Sequence, residues 1–575
     1  MFVPLRIHSV YSRGKGSVTL EEAAAWAGRQ RLPAAALADV GNIYGWGKWK
    51  RVTAGGGVRP LFGCELEIGG RRFVFLVKTR EGYSNLMEIF NRRAVRDASG
   101  LVVIYVPEGQ SRFGDSPSGY VSPSDAAGGV PGREAKKGDT SQFRRNWGMS
   151  PAEPVAGIPG SSESRAWVSE VAMLDDLREK VAPGDFYLGA DFANFRRILE
   201  CGGRESRGHV RESGGHVPIS PEKAKNGDTY PGYMSPFADL PVVWANPVKY
   251  LTSPERLVLL HAIEKKIPYP PERDRLLAKV KIFGPDQEAL ALRRFGDAAK
   301  EALARTVEVA EKCEFVFADV IPNLPADLFP RTLRDVVMER LTAAKSLTWE
   351  ERRRARRELA VVEQSGFGPY FLAVHDIVEF ARGRGILHNL RGSGASSFLA
   401  WLLGVSHVNP MEFDLYFERF LNRGRPDPPD IDIDFDSRRR DEVLAYVLEQ
   451  YGAGKTGAAF VCSLKNFGAR SALYETLRAF GVPPEEARGL AKRVPYFAEP
   501  FYLRRAAPAP GRLDVWKLAA ELQDVYHETS LHVGGVILTP APAERFLPLE
   551  TSAKGLRMTH FDKDAVDVER GLVVD

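Results

Sequence analysis

Residues 428–435 read Pro428-Pro429-Asp430-Ile431-Asp432-Ile433-Asp434-Phe435 and carry the clearest structural pattern in the chain. Its aspartates alternate with apolar residues, and residues two apart on a β-strand share a face. The alternation predicts a strand with Asp430, Asp432 and Asp434 on one face and the apolar side chains packed behind it. Aspartate is depleted in strands, and like charges at this spacing repel each other. A positive charge must offset the repulsion, and hard divalent cations with oxygen ligands fit best.

Paired carboxylates that bridge two Mg²⁺ ions are what phosphoryl or nucleotidyl transfer requires. One ion activates the attacking hydroxyl. Both ions stabilise the negative charge that develops around the phosphorus when the hydroxyl attacks it. The acidic stretch therefore predicts a two-metal catalytic strand. A solvated edge strand without a catalytic role is the alternative interpretation.

A second signal lies upstream at residues 391–397, which read Arg391-Gly392-Ser393-Gly394-Ala395-Ser396-Ser397. A glycine-rich turn that opens a helix presents free backbone N–H groups, and Arg391 adds a charged fork suited to phosphate oxygens. Such turns are common before helices, so the turn alone is a weak signal. Beside the acidic strand it predicts a site for a triphosphate.

The composition sets the broad class of the protein. The chain has 575 residues, of which 44% are hydrophobic and 27% charged, with a formal net charge of +5. This composition excludes a mostly disordered, collagen-like or coiled-coil protein. The length, at about 150 residues per domain, predicts three or four domains. The mild positive charge permits a nucleic-acid partner without arguing for one.

Location is predicted from two absences in the sequence. No apolar run approaches the roughly 18 to 20 residues that cross a bilayer, and the start lacks a secretory signal. We therefore expect no membrane partner. The four cysteines are widely spaced without a CxxC pair, which argues against a zinc ribbon or a disulfide framework and predicts a reducing cytoplasm; they are Cys64, Cys201, Cys313 and Cys462.

The chain divides into regions of different composition. Residues 1–108 alternate short strands with helical patterns, which predicts an α/β layered or barrel unit. The stretches at about 109–165 and 202–238 are rich in Gly, Ser and Pro and predict low-complexity, disordered insertions. The sequence beyond residue 250 is densely helical. A helix at 350–362 carries five arginines, which form either a solvated, salt-bridged face or a phosphate-contacting stripe.

These motifs resemble those of the alpha subunit of bacterial DNA polymerase III, the C-family replicative polymerases. The acidic strand matches the family's PDxDxDF motif, and Arg391 to Ser393 match its RGS turn. Residues 366–378 and 417–422 are also similar to the family's palm. The sequence of residues 369–376 resembles the error-prone, damage-tolerant branch of the family.

The resemblance implies a multidomain α/β fold. It consists of a PHP-like distorted α/β barrel followed by a nucleotidyltransferase-type palm, similar to polymerase beta, with a helical thumb. The implied boundaries are 1–250 for the PHP-like domain with its two insertions, 251–435 for the first part of the palm, 436–510 for the thumb and 511–575 for the returning part of the palm.

The resemblance also implies the residues that act. The family's three metal-binding aspartates correspond to Asp430, Asp432 and Asp575, which would hold two Mg²⁺ ions as the catalytic centre, with Asp434 as a spare neighbour. The nucleotide phosphates would be bound by Arg391, Gly392 and Ser393. Duplex DNA would be contacted in the thumb by Lys465 and Arg470.

The PHP-like domain is expected to hold no metal. In the family its ligands are mostly histidines, whereas this chain has other residues at several ligand positions, namely Arg6, Val40, Pro247 and Lys249. The ligands that remain are His8, Asp39 and Glu65. A site that gains two cationic side chains while losing imidazoles cannot hold a cluster of cations, so the domain is predicted to be structural.

The function implied is template-directed DNA polymerisation, in replication or in error-prone repair synthesis. The expected partners are primer–template DNA, deoxynucleoside triphosphates, and either other polymerase III holoenzyme subunits or a separate chain that supplies fingers and clamp-binding modules. Since this sequence stops at Asp575, where the family continues into the fingers, we expect the chain alone to extend primers poorly. Two alternatives remain, a non-catalytic polymerase fragment or scaffold and a PHP-type phosphoesterase.

Overall fold

The computed structural model describes residues 2–107, 174, 176–191, 194, 240–318, 323–422, 431–452, 456–505, 513–568 and 572–574. The predicted insertions at 109–165 and 202–238 lie outside these residues, and so do Asp430, Asp575 and Cys201. Within the described ranges, no helix has the length and apolar character needed to cross a membrane. The described cysteines, Cys64, Cys313 and Cys462, are buried free thiols.

The amino-terminal region is built on a curled sheet whose described strands follow the order β1-β2-β3-β4-β5-β6. The antiparallel pairs are β2–β3 and β3–β4, and the other neighbours run parallel. The segment around Ile7 bridges Leu37 at one edge of the sheet and Val248 beyond the other. The two edges thus meet through this segment, which agrees with the predicted distorted barrel. The strands are β1 (Ala34–Val40), β2 (Arg59–Ile68), β3 (Arg71–Val77), β4 (Leu101–Val106), β5 (Phe186–Ala190) and β6 (Val242–Trp244).

Helices cover this sheet, and local sequence sets where they begin. Thr19 caps the first helix in a reciprocal capping box with Glu22, and Thr79 caps the third, which satisfies amide groups that have no partner inside the helix. The helices of this region are α1 (Leu20–Arg29), α2 (Trp46–Thr53), α3 (Arg80–Arg92), α4 (Pro254–Lys265), α5 (Tyr269–Val280), α6 (Gln287–Phe295) and α7 (Asp297–Lys312).

The central region packs helices around a ladder of two short antiparallel strands, β7 (His388–Arg391) and β8 (Asp432–Phe435). Their apolar side chains join one buried cluster with the surrounding helices. Those helices are α8 (Leu333–Ala343), α9 (Trp349–Gln364), α10 (Gly368–Gly383), α11 (Phe398–Leu402) and α12 (Arg440–Gly452).

A second sheet completes the fold, with described strands in the order β11-β12-β9-β10-β13. The strands are β9 (Gly457–Asn466), β10 (Tyr526–Thr539), β11 (Leu549–Thr551), β12 (Arg557–Asp562) and β13 (Leu572–Val574), with α17 (Lys563–Val568) between the last two. Short 3₁₀ helices lie at Lys281–Phe283, Ala326–Leu328, Gly392–Ser396, Phe417–Arg419 and Ala543–Arg545.

A group of helices with its own apolar core lies between β9 and β10, and we call it the helical insert. It consists of α13 (Ala469–Ala479), α14 (Pro484–Lys492), α15 (Pro500–Arg505) and α16 (Leu513–Leu522). The sequence predicts a thumb from residue 436. In the structure the helical insert begins only at Ala469, because α12 packs in the central core and β9 lies inside the second sheet.

The amino-terminal region and the second sheet share one hydrophobic core. A Cβ placed on Gly47 of α2 would lie 2.9 Å from the Cβ of Ala565 of α17, so glycine is required at this crossing. Asn91 donates from Nδ2 to the carbonyl oxygens of Glu544 and Leu547, at 2.9 and 2.8 Å. The two regions therefore form a continuous body that the sequence alone does not predict.

Candidate active site

The ladder of β7 and β8 places the acidic strand opposite the strand that ends in Arg391. The paired residues are Arg391 with Asp432, Leu390 with Ile433, Asn389 with Asp434 and His388 with Phe435. Ile431 and Ile433 are buried, whereas Asp432 is half-buried and Asp434 exposed. The predicted alternation is therefore confirmed for the described members of the stretch, and Asp430 lies outside the described residues.

A cation does lie on this acidic face, and it belongs to the protein. The Nε of Arg391 is 2.8 Å from Oδ2 of Asp434. The contact is diagonal across the ladder, a distance that a long side chain spans easily. The arginine predicted to bind phosphate therefore offsets part of the repulsion along the acidic strand.

The turn after Arg391 differs in part from the prediction. Gly392 has φ +69°, which favours glycine, and residues Gly392–Ser396 form a 3₁₀ helix rather than opening an α-helix directly. The following helix, α11, begins at Phe398, and its first amides are already engaged. Ser397 Oγ accepts from Ala400 N at 3.2 Å, and the carboxylate of Glu358 accepts from Leu399 N at 3.1 Å. The start of α11 is therefore not free to bind a phosphate, which leaves the 3₁₀ turn itself.

Glu358 anchors the junction between this turn and α11. It is fully buried on α9, and its Oε2 also accepts from Ser397 Oγ at 3.0 Å. Arg354, one turn earlier, pairs with Glu358 and donates to the carbonyl oxygens of Ser396 and Leu415, at 3.3 and 3.0 Å. Burial raises the pKa of Glu358, against the opposing hydrogen bonds from Arg354 and Leu399.

The other arginines of α9 answer the question that the sequence leaves open. Arg352 donates to the carbonyl oxygens of Leu341, Ala344 and Leu347, and Arg357 pairs with Glu418. Arg353 lies over the ring of Trp349 at 5.3 Å. Arg352 and Arg357 thus serve contacts within the protein, which favours the salt-bridged face over a phosphate-contacting stripe, while Arg353 and Arg356 are exposed.

A cavity of about 340 Å³ opens beside the ladder. Arg391 and Asp434 line it together with Arg440 of α12 and with His532 and Val536 of β10. Val536 is also the register partner of Val574 at the end of β13. The chain therefore approaches the cavity just before Asp575, which itself lies outside the described residues.

The metal ligand set can be examined only in part. Among the residues with described side chains, no three carboxylate, imidazole or thiol groups converge on one point. Two of the three predicted ligands, Asp430 and Asp575, lie outside those residues. The half-buried carboxylate of Asp432, beside the exposed one of Asp434, supplies the hard oxygen donors that Mg²⁺ prefers.

The two predicted DNA-binding residues lie on different elements. Lys465 is near the end of β9 and pairs with Glu528 of β10 at 3.1 Å. Arg470 is on α13, where its Nε donates to the carbonyl oxygen of Val494 at 2.7 Å and its guanidinium lies 5.6 Å from the ring centroid of Tyr496. Both side chains belong to exposed residues, but only Arg470 belongs to the helical insert.

The residues that remain in the predicted PHP site form a closed ionic cluster. Glu65 accepts from Arg6 Nε at 2.7 Å and from His8 Nε2 at 2.8 Å, and all three are buried. Asp39 accepts from Ser9 N and Ser9 Oγ at 2.7 Å each and from Ser12 Oγ at 2.6 Å. The Lys249 ammonium lies 4.2 Å from the ring centroid of Phe283. The carboxylates are thus already occupied by protein donors.

The pKa values in this cluster follow from burial and from Arg6. Burial opposes ionisation of Glu65, but the Arg6 guanidinium and the His8 ring outweigh it and hold the pKa of Glu65 well below its usual range. Burial lowers the pKa of His8 to about 4 and raises that of Asp39 to about 6. At neutral pH these residues therefore form an Arg6–Glu65 ion pair with a neutral His8, beside an Asp39 carboxylate that Ser9 and Ser12 already bind. The cluster does not fit a divalent cation.

Three residues at the candidate site escaped the sequence interpretation, namely Glu358, Arg440 and His532. Arg440 closes a basic run directly after the acidic strand, a signal that could have marked it. Nothing in the spacing of Glu358 or His532 points to the site, because both reach it only through tertiary packing.

Comparison with known proteins agrees with the geometry. Residues 331–574 match the family model of the bacterial DNA polymerase III alpha NTPase domain, and residues 4–106 match that of the PHP domain. An error-prone DNA polymerase from Symbiobacterium thermophilum is 28% identical over 100% of this chain and 50% of its own length. Error-prone DNA polymerases from Pseudomonas syringae pv. syringae and Aromatoleum aromaticum are 35% and 33% identical, over 48% and 50% of this chain and 28% of their own lengths.

The matched segments are thus similar to the DNA polymerase III alpha and PHP families. The predicted resemblance to the DNA polymerase III alpha subunit with a PHP domain is confirmed, and these relatives carry the name error-prone DNA polymerase. The chain spans no more than half the length of these relatives.

Proposed function

We propose that this chain carries the nucleotidyl-transfer centre of a template-directed DNA polymerase of the error-prone branch. The observation that carries the proposal is the ladder in which Arg391 stands opposite Asp432 and reaches Asp434, beside a cavity that the end of β13 approaches. It brings the acidic strand, the RGS turn and the carboxyl-terminal strand together. In this proposal the palm consists of the central region and the second sheet, and the thumb is the helical insert, including α16. The predicted palm boundary at residue 251 lies too early, because α7 packs on the amino-terminal sheet.

Asp430, Asp432 and Asp575 would hold two Mg²⁺ ions. The described part of the donor set fits, because it offers carboxylate oxygens on a strand whose negative charge already attracts a cation. When bound, the ions would lower the pKa of the primer 3′ hydroxyl and stabilise the charge on the attacked phosphorus.

The chain's own groups would orient the nucleotide. Arg391 would exchange Asp434 for the phosphates, and the exchange is inexpensive because an exposed ion pair contributes at most about 1 kcal/mol. The amides of Gly392 and Ser393 would bind further phosphate oxygens. Lys465 and Arg470 would contact the duplex backbone, so that binding is independent of sequence and weakens with salt.

The experiment is templated addition of one nucleotide to a primer in Mg²⁺, with a separate chain supplying the fingers, and it compares the purified wild-type chain with Asp432→Asn. We expect the variant to lose at least about a hundredfold in rate, since a metal-bound site supplies several kcal/mol and 1.4 kcal/mol is a factor of ten. Its folding should be unchanged, because the substitution relieves repulsion on a half-buried face. Asp434→Asn, on the same face, is the matched control and should be much milder.

Equal loss in both variants would mean that the wrong pair of aspartates is assigned. A wild-type chain that binds primer–template but neither extends it nor exchanges pyrophosphate, even when a separate chain supplies the fingers, would favour the scaffold alternative. Release of nucleotide monophosphate without extension would favour a phosphoesterase.

A further inference from the structure

The loop between α14 and α15 and the first turn of α15 expose large aromatic side chains. Tyr496, Phe497 and Phe501 are 71%, 90% and 60% exposed, and we call them the aromatic surface. The rings of Tyr496 and Phe497 have centroids 4.9 Å apart and an interplanar angle of 82°. Exposing such side chains forgoes the favourable burial of apolar area, and clusters of them mark interaction sites.

The backbone beneath these rings is anchored. Val494, Ala498 and Leu503 are buried in the core of the helical insert. The carbonyl oxygen of Val494 accepts from Arg470 Nε at 2.7 Å, and that of Ala498 accepts from Gln523 Nε2 at 2.6 Å. The aromatic side chains therefore point outward from a fixed loop, and their exposure is not the result of a frayed end.

The surroundings of the aromatic surface are basic. The guanidinium of Arg470 lies 5.6 Å from the ring centroid of Tyr496. Residues 492–505 contain one exposed acidic residue, Glu499. The exposed basic residues of the same segment are Lys492, Arg493, Arg504 and Arg505. A partner that fits must offer both negative charge and flat apolar faces.

A second group of exposed aromatic residues provides the contrast. Phe413 and Tyr416 are 64% and 71% exposed. Their neighbours in sequence are the acidic Glu412, Asp414 and Glu418. Aromatic exposure therefore occurs in both places. Of these two segments, the one around Tyr496 has a net positive charge, whereas the one around Tyr416 has a net negative charge even with the exposed Arg419.

We propose that the aromatic surface binds unpaired, single-stranded nucleic acid. Bases would stack on Tyr496, Phe497 and Phe501, while the arginines contact the phosphates. A duplex hides the faces of its bases, so this site selects unpaired strand. The inference goes beyond the proposed function, because it needs no nucleotidyl transfer and adds base stacking to the backbone contact proposed for Lys465 and Arg470.

The test is fluorescence anisotropy of a short labelled oligodeoxythymidine with the full chain and with the double variant Phe497→Ala/Phe501→Ala. We expect the double variant to bind about tenfold or more weakly, since each stacked base contributes on the order of a tenfold factor or more in affinity. An abasic strand of the same length keeps the phosphates and loses the bases, so wild type and variant should bind it equally and weakly. Phe413→Ala/Tyr416→Ala is the matched control and should bind like wild type.

A cross-linking experiment locates the contact independently. Oligodeoxythymidine carrying 5-iodouracil should cross-link to the peptide that contains residues 494–505 when irradiated. The thermal midpoint of the double variant should equal that of wild type, because both side chains are mostly exposed. Absence of binding by wild type, unchanged affinity in the double variant, equal affinity for the abasic strand, or cross-links confined to other peptides would each overturn the proposal and point to a protein partner for this surface.

Discussion

Arg391 and Asp434 form an ion pair across the ladder, with Nε 2.8 Å from Oδ2, although the register partner of Arg391 is Asp432. The side chains of the pair are 61% and 54% exposed. An exposed pair of this kind contributes at most about 1 kcal/mol. The arginine is therefore held beside the acidic strand at low cost and is available to a stronger anion, such as a triphosphate in the adjoining cavity.

The first prediction concerns this arginine. Arg391→Lys keeps the charge but loses the planar fork that matches phosphate oxygens. We expect the affinity for a fluorescent deoxynucleoside triphosphate in Mg²⁺ to fall about tenfold, because a hydrogen bond to a charged group contributes roughly 1.5 to 3 kcal/mol. Asp434→Asn releases Arg391 and should leave this affinity equal or higher. Equal affinity for wild type and Arg391→Lys would remove Arg391 from the phosphate site.

The second prediction concerns Glu358, which binds the junction between the 3₁₀ turn and α11 and is not among the residues that line the cavity. Glu358→Ala leaves Ser397 Oγ, Leu399 N and Arg354 without their buried acceptor. Loss of one partner of a buried ion pair costs about 3 to 5 kcal/mol, and the unfolding midpoint in urea should fall accordingly.

Glu358→Gln keeps the shape and part of the hydrogen bonding, so its loss of stability should be smaller. Its triphosphate affinity should still fall, because Ser397 and Leu399, which directly follow the 3₁₀ turn, are held less firmly. Glu350→Gln, at an exposed glutamate of the same helix, is the control. A Glu358→Gln chain that is less stable but binds triphosphate normally would make Glu358 a purely structural residue.

Periodicity was sufficient to predict the acidic strand. When apolar and charged residues alternate and the apolar ones must be buried, a β-strand is the structure that places them on opposite faces. Ile431 and Ile433 are buried, as this strand requires. The partner strand could not be predicted in the same way, because β7 precedes β8 by some forty residues and its register depends on tertiary packing. The diagonal contact of Arg391 with Asp434 follows from that register.

The extent of the helical insert shows the opposite limit. The segment Gly457–Asn466 is apolar enough for a strand or a buried helix, and the sequence interpretation includes it in a helical thumb. In the structure it pairs with Tyr526–Thr539, which lies beyond the insert in the chain. Pairing over that separation leaves no local signal, so sequence alone could not place Lys465 on a sheet.

The third prediction is that the PHP-like region binds no transition metal tightly. Glu65 is bound to Arg6 and His8, and Asp39 to Ser9 and Ser12. A cation would have to displace a buried guanidinium, which cannot leave without a large desolvation cost to the remaining charges. Elemental analysis of the purified chain should find much less than one equivalent of Zn or Mn. Two or three equivalents, retained through dialysis against chelator, would contradict this assignment.

The last prediction concerns the joint between the amino-terminal region and the second sheet, where His560 of β12 is buried. Its Nδ1 accepts from Ile43 N at 3.4 Å, and its ring lies 4.4 Å from that of Tyr44 and 4.9 Å from that of Phe90. Burial, with a smaller contribution from the Arg93 guanidinium, lowers the pKa of His560 from 6.5 to about 3. The folded protein therefore keeps this ring neutral at pH values where the unfolded chain protonates it.

Below about pH 6.5 the unfolded state binds a proton that the folded state does not. The free energy of unfolding therefore decreases as the pH is lowered, by roughly 1.4 kcal/mol per pH unit for this group. The buried His8 contributes in the same direction down to about pH 4. The pKa of Asp39 is raised to about 6, so below pH 6 protonation of Asp39 in the folded state opposes this loss of stability. Urea unfolding followed between pH 7 and pH 5 should show a slope that is smaller by about one proton in His560→Gln. His407→Gln, at an exposed histidine, controls for the loss of an imidazole. An identical slope in wild type and His560→Gln would mean that the folded protein accommodates a charged His560, and that this joint is open to water.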